Sequence, residues 1–319
     1  MVVAPHERGN MKQFLLNKRK SSGCVAETFK KMDTGNNSAP VGVRNSGAAM
    51  KNRLGMLPFL VMLVGLCAGF LTPVAVAAET EPDPEGHGRT YTQFHNEIAG
   101  YDISPFFLNH SDEFFHRFIG FIGTDLQRFY IMFIEAKKSP DNPYLYQVRG
   151  KTRVKKNICD FTGTITVVRS GLSAASDADL PEGFILAKVD LAENAQQPGT
   201  GTVTGQMLTD FYLDKGVIHA GDVPGNQSLQ FSCIWTSHKT GARKLCNFGQ
   251  GRIPTTGLPK GGGVDQGDGE FVPKRQYYNK GWDLYAACRE ESTAVFLATQ
   301  KGTVVEYSPA CRKELDWWK

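Results

Sequence analysis

No Lys, Arg, Asp or Glu occurs from position 54 to position 78 of this 319-residue chain. Lys51 and Arg53 stand just before that gap, and Ala75, Val76, Ala77 and Ala78 end it. A basic start, an apolar middle and small residues before the cut are the marks of an export signal peptide. The pattern predicts cleavage after Ala77, with cleavage after Ala78 nearly equivalent. Because about 20 apolar residues cross a bilayer, a retained single-pass anchor is the rival reading. Thr72-Pro73 and the closing alanines favour cleavage. Cys67 is a poor lipidation site, since Leu66 precedes it where a small residue is needed.

Motifs are also missing. The chain contains no G-x-S-x-G elbow, H-E-x-x-H pair, P-loop, EF-hand pattern or G-x-G-x-x-G, so it carries none of the signatures of those hydrolase, zinc, nucleotide or calcium classes. It has no C-x-x-C pair, and its 7 histidines are sparse beside the cysteines, so no zinc framework and no cofactor are expected.

Charge of one sign is lacking too once the front of the chain is set aside. Residues 1–53 hold 10 of the 36 Lys and Arg but 3 of the 32 Asp and Glu, leaving 26 basic against 29 acidic beyond them. A slightly acidic remainder with mixed charges gives no electrostatic basis for nucleic-acid binding. Residues 1–49 are polar and without period, as in a segment that cannot bury a core. Met50 followed by Lys51, Asn52 and Arg53 is an ordinary start for a signal peptide, so the leader need not be translated. The expected organisation is a leader over 1–49, a signal peptide or retained anchor over 50–77, an acidic Pro-punctuated linker over 78–89, and an exported domain over 90–319.

What the domain does contain is strand pattern. After short helical readings around 92–99 and 111–117, runs at 118–122, 129–135, 144–154 and 159–169 are joined by turn-forming residues such as those of 139–143. In 159–169, Phe161, Ile165 and Val167 share one face while Thr162, Thr164 and Thr166 share the other. Such alternation describes a strand with one buried and one wet face. Further runs at 184–191, 201–214, 217–220, 229–236 and 243–248 continue the pattern, and 294–299 with 303–307 reads as a last hairpin. The fold class expected is mainly β, an antiparallel meander forming a barrel or a sandwich with short flanking helices, with α+β as the fallback. Residues 252–272 read as an irregular Gly-rich loop, 282–291 as a short helix, and Ser308-Pro309 as the N-cap and first position of a last helix.

Five of the 7 cysteines follow the charge-free run, and an oxidising compartment favours disulfides among them. A hairpin turning about Lys239-Thr240 places Cys233 directly opposite Cys246. Facing Cβ atoms lie about 4.5–5.5 Å apart, close to what a bridge requires. Cys233–Cys246 and Cys288–Cys311 are therefore the expected bridges, with Cys159 left over.

Other constellations carry chemistry only if folding converges them. His110, Asp112, Glu113 and His116 include metal-ligating types, but 110 and 116 do not share a helix face. Asp265, Asp268 and Glu270 offer oxygens without a calcium-loop spacing. The carboxylate pairs Asp177/Asp179 and Glu290/Glu291 have no readable separation. The basic run 151–156 suits an edge-protecting strand. Asn109 and Asn226 begin glycosylation sequons.

Tyr277, Tyr278 and Trp282 cluster near Asn279 and Lys280; exposed, they would stack on a sugar face, and buried, they would fill core. They are the candidate ligand-binding residues, and no catalytic or metal residue is nominated. The sequence favours an exported, non-catalytic binding or envelope-associated module whose partner is an unknown ligand such as a glycan or envelope component. It expects no nucleic acid, and membrane contact only through the N-terminal apolar segment. The rivals are a secreted hydrolase of a polysaccharide or cell-wall polymer, and a single-pass membrane-tethered structural protein.

Overall fold

The computed structural model describes residues 80–319, apart from 85, 87, 109–116, 177–179, 222–227 and 268–270. The expected leader and export segment, the 110–116 cluster, Asp177 and Asp179, Asp268, Glu270 and both sequon asparagines lie outside the described residues.

Eleven strands form one antiparallel sheet: β1 (Thr80–Glu81), β2 (Tyr91–Gln93), β3 (Phe118–Ile122), β4 (Gln127–Lys138), β5 (Leu145–Val154), β6 (Asn157–Ser173), β7 (Glu182–Glu193), β8 (Gly201–Asp214), β9 (Val217–Ala220), β10 (Gln230–Ser237) and β11 (Arg243–Gln250). The order β6-β5-β4-β3-β11-β10-β8-β7 returns to β6 through the β6–β7 pairing. Eight strands thus close a barrel, which decides between the two architectures the alternation allowed. Closure satisfies every interior ladder and leaves no long open edge. The expected linker contributes to the sheet: Thr80 and Glu81 pair with β2, and Arg169 Nε donates to Glu81 Oε2 at 2.9 Å.

Strand parity decides what faces the lumen. Phe129, Ile131 and Phe133 of β4, Ile185, Ala187, Val189 and Leu191 of β7, and Phe231, Cys233 and Trp235 of β10 enter one apolar core. Small residues alternate with large ones so that a narrow barrel can be filled. A Cβ on Gly150, for example, would lie 2.7 Å from the Phe161 ring, so that ring packs where only Gly leaves room.

The two ends of the barrel differ. β4, β6, β8 and β11 finish, and β5, β7 and β10 begin, at one end. There the helices α1 (His95–Ile98) and α2 (Ser104–Phe107) insert Phe94, Ile98, Ile103, Phe106 and Phe107 into the core. Phe94 meets Phe211 at 5.5 Å and Phe107 meets Phe133 at 5.8 Å between ring centroids. Lys138 Nζ donates to Ala99 O and Tyr101 O at 2.6 Å each, holding this plug to β4. Thr92 and Gln93, at the start of the helix expected over 92–99, are instead in strand β2, because their backbone pairs with Leu172 and Gly171.

A second apolar cluster lies on the outer face of β3. Ile119 and Phe121 point outward by parity and are covered by Phe271, Trp282, Tyr285, Cys288, Cys311 and Leu315. These come from the irregular 252–272 region and two helices, α3 (Asp283–Gln300) and α4 (Pro309–Leu315). Ser308 caps α4 as its sequence predicted, its side chain accepting from Cys311 N. The expected hairpin of 294–299 and 303–307 is not formed. The helix opened at Asp283 runs on, because Tyr285, Cys288 and Ser292 recur at helical spacing toward the cluster. Phe296 and Leu297, read as strand residues, stay more than half exposed, and 303–307 has no regular structure. No helix among the described residues is long and apolar enough to cross a membrane.

Cys288 and Cys311 are bonded, the bridge expected of them, and it ties α3 to α4. Glu314 of α4 reaches Arg128 at 3.2 Å and Arg153 at 2.8 Å. Both guanidiniums stack on Tyr130, at 4.3 and 3.6 Å from its ring centre. Part of the basic run 151–156 is thereby spent on clamping the C-terminal helix to the barrel wall, where one carboxylate bridges two arginines.

Candidate functional site

The end opposite the plug is lined by polar side chains at inward positions. β7 presents Ile185, Ala187, Val189 and Leu191 to the lumen, and the next residue of the same phase is Glu193. It is 6% exposed. Gly201 N and Trp235 Nε1 donate to its Oε2 at 2.8 and 2.9 Å, and the Thr152 hydroxyl donates to its Oε1. Three donors from β5, β8 and β10 thus converge on a carboxylate at the end of β7. Both oxygens accept in these hydrogen bonds. Among the described residues no Lys, Arg or His side chain pairs with this carboxylate; His238 Nε2 meets only the Glu193 backbone carbonyl, at 3.1 Å.

Beside Glu193 the mouth opens into a cavity of about 290 Å³. Its walls are apolar where Ile122, Phe129, Val154 and Trp235 line it, and Lys155 and Lys244 stand at its rim. Lys244 Nζ is 5.7 Å from the Trp235 ring centre. Asp125, also at the rim, is bound by Lys280 Nζ at 2.8 Å, and that hydrogen bond holds its carboxyl below the usual range.

Cys159 lies on the same wall, its sulfur 3.2 Å from Asn157 Nδ2. Burial, and then the nearby charge of Glu193, push its thiol up to about 11. A thiol held protonated at neutral pH is a poor nucleophile. The mouth therefore offers fixed recognition groups: one buried carboxylate, an aromatic and aliphatic wall, and two exposed ammonium groups.

The residues nominated from sequence fall elsewhere. Trp282 is fully buried in the outer cluster, its indole N–H donating to Leu126 O at 2.9 Å. Tyr277 and Tyr278, in a 3₁₀ turn at Arg275–Lys280, are half-buried against the same cluster. The three do not form an exposed stacking platform. The rings cover outward-facing Ile119, Phe121 and Leu126, which would otherwise lie bare on the barrel wall.

Cys233 and Cys246 are paired in register as the hairpin predicted, but both are free thiols, so the expected bridge is corrected. The sulfur of Cys233 leans over β8, into the space that Gly205 leaves: a Cβ there would lie 2.9 Å from it. It sits by the Gln206 backbone, and burial pushes its thiol up to about 12. Cys159 is free, as expected of the odd cysteine.

Of the remaining candidates, Asp265 and Glu291 serve the fold. Asp265 Oδ1 accepts from Gly267 N and Val272 N within its own loop, and Glu291 accepts from the Ser308 hydroxyl at 2.8 Å. No group of three or more His, Cys, Asp or Glu converges among the described residues.

Glu193 and Trp235 were missed for a definable reason. The apolar run of β7 ends at Leu191, and a strand reading that stops there leaves out an acidic residue of inward phase. Extending the parity by one step exposes the signal: a carboxylate where the pattern demands an apolar residue.

Compared with protein families, with curated proteins and with solved structures, the chain finds no match.

Proposed function

We propose that the protein is an exported, non-catalytic binding barrel that takes a small ligand in the mouth beside Glu193. The observation that carries this reading is a carboxylate 6% exposed, without a cationic partner among the described residues, set against a cavity of about 290 Å³. Burying a charge is costly unless it is paired, and a fold that wanted only stability would place an apolar residue at this inward position. The cavity is the size of a small-ligand site, near the lower end of the usual range of about 300–1,000 Å³. A glycosidase would need two facing carboxyl groups. The only described carboxylates lining the mouth are Glu193 and Asp125, and Asp125 is engaged by Lys280.

Export is supported by the charge-free run of 54–78 behind Lys51 and Arg53 and by the Cys288–Cys311 bridge, which agrees with an oxidising compartment. Intact mass of protein from its own host should give an N-terminus at Ala78 or Glu79; a chain retaining 54–77 would establish the anchor in its place. For the mouth, a fragment screen on the full-length chain should yield binders that are lost in Val154→Trp, which fills the opening. A screen without binders, or with binders indifferent to that substitution, contradicts the reading.

A further inference from the structure

The ligand's chemical class follows from how charge is layered in the mouth, an inference that rests on the binding reading above. The inner layer is negative. Glu193 has three neutral donors, Thr152, Gly201 N–H and Trp235, and two carboxylate oxygens carry about four acceptor positions, so one acceptor position remains for a guest. Neutral donors satisfy hydrogen bonding and leave the net charge uncompensated. The outer layer is positive. Lys155 and Lys244 are exposed at the rim, and neither forms a salt bridge among the described residues. Asp125, also at the rim and within the field of Lys244, is bound by Lys280 at 2.8 Å, so this pair leaves the two rim lysines in excess. Trp235, Phe129, Val154 and Ile122 complete the lining.

A plain cation would gain from Glu193 but meet two lysines at the entrance. A plain anion would suit the lysines but approach an uncompensated carboxylate. We infer that the mouth takes a compact zwitterion, its ammonium on Glu193, its carboxylate toward Lys155 and Lys244, and an apolar body against Trp235 and Phe129. A free α-amino acid with an apolar side chain is the simplest member of that class. At about 30 Å³ per displaced water, a cavity of about 290 Å³ has room for one such molecule and little more.

Three probes that share a ring and chain length test the assignment by titration calorimetry on the full-length protein. L-phenylalanine carries both charges, phenethylamine lacks the carboxylate, and 3-phenylpropionate lacks the ammonium. A charged hydrogen bond in a sheltered site is worth roughly tenfold or more in affinity, so L-phenylalanine should bind at least about tenfold tighter than either partial analogue. Glu193→Gln, which keeps the side chain's shape, should abolish its advantage over 3-phenylpropionate. Lys155→Ala with Lys244→Ala, both at exposed positions, should abolish its advantage over phenethylamine. Equal or tighter binding of either analogue to the unsubstituted protein overturns the zwitterion, and needs no variant to fold. If all three fail while fragment binders sensitive to Val154→Trp exist, the class is wrong and the binding mouth stands. If no such binders exist either, both readings fall.

Discussion

The two ends of the barrel are built from the same strands and solve opposite problems. At one end, Phe94, Ile98, Ile103, Phe106 and Phe107 pack into the lumen with no charged side chain among them. At the other, the inward positions hold Glu193, Thr152, Trp235 and Lys244 around a cavity. A closed barrel needs one continuous apolar core, and an aromatic plug supplies its floor. Once the floor is sealed, the opposite layer can depart from apolar filling without opening the core to water. On the proposed reading, the polar residues at the inward positions of the mouth serve binding rather than stability.

That contrast predicts a gradient of stability effects. Phe107→Ala, at the plug, should destabilise the fold by about 3–5 kcal/mol, the usual cost of deleting a buried ring, read by urea unfolding of the full chain. A loss under about 1 kcal/mol would mean that the helices rest on the barrel without sealing it. Opening the Cys288–Cys311 bridge by Cys288→Ser should cost about 3 kcal/mol on the chain-entropy account, less any strain released. The bridge spans 23 residues outside the lumen, so the mouth's affinity should not change. Glu193→Ala should cost less, about 1–3 kcal/mol, because it strands buried donors that water in the cavity can partly satisfy. Binding at the mouth should suffer far more than stability. If Glu193→Ala destabilises more than Phe107→Ala, Glu193 is a structural brace and the contrast between the ends fails.

The smallest effect is on pH dependence. Buried thiols at both depths are pushed above the ordinary value of 9.0, Cys159 to about 11 and Cys233 to about 12. Above pH 9 the unfolded chain releases these protons while the folded chain keeps them. The unfolded state then binds fewer protons, and stability falls as pH rises. The stabilisation is fully present below pH 9 and is lost progressively through about 11 and about 12. Tyr146, raised to about 12 by burial at the plug, adds to the fall from pH 10 upward. Cys159→Ser should flatten only the part between 9 and about 11, as measured by unfolding at a series of pH values. A slope unchanged by that substitution would place the thiol in water, outside the mouth wall.

The sequence carried more of the fold than of the site. Thr162, Thr164 and Thr166 alternating with Phe161, Ile165 and Val167 announced a one-faced strand, and the Lys239-Thr240 turn fixed the register of Cys233 against Cys246. Both are local signals, readable within a few residues. Whether two facing thiols bond was not readable from their register, and both stay free although they pair directly. The 294–299 run was misread because its apolar residues fit either period, and only the cluster over Ile119 and Phe121 selects the helix. Tyr277, Tyr278 and Trp282 announced aromatics but not the bare barrel wall they cover. Glu193 was visible as a phase violation at the end of β7. Its meaning came only with Thr152, Gly201 and Trp235, which lie 41, 8 and 42 residues away along the chain.

The most direct measurement of the central claim is the indole region of a ¹⁵N-labelled full-length protein, with Trp235 and Trp282 each assigned by Trp→Phe substitution. The two indoles are internal references for the two apolar clusters, since Trp235 donates to Glu193 and Trp282 to Leu126 O. Adding L-phenylalanine should shift the Trp235 indole signal in a saturable way and leave the Trp282 signal in place. A Trp235 signal that does not move with any fragment-screen binder, or a saturable shift at Trp282 instead, would contradict the assignment of the mouth as the binding site.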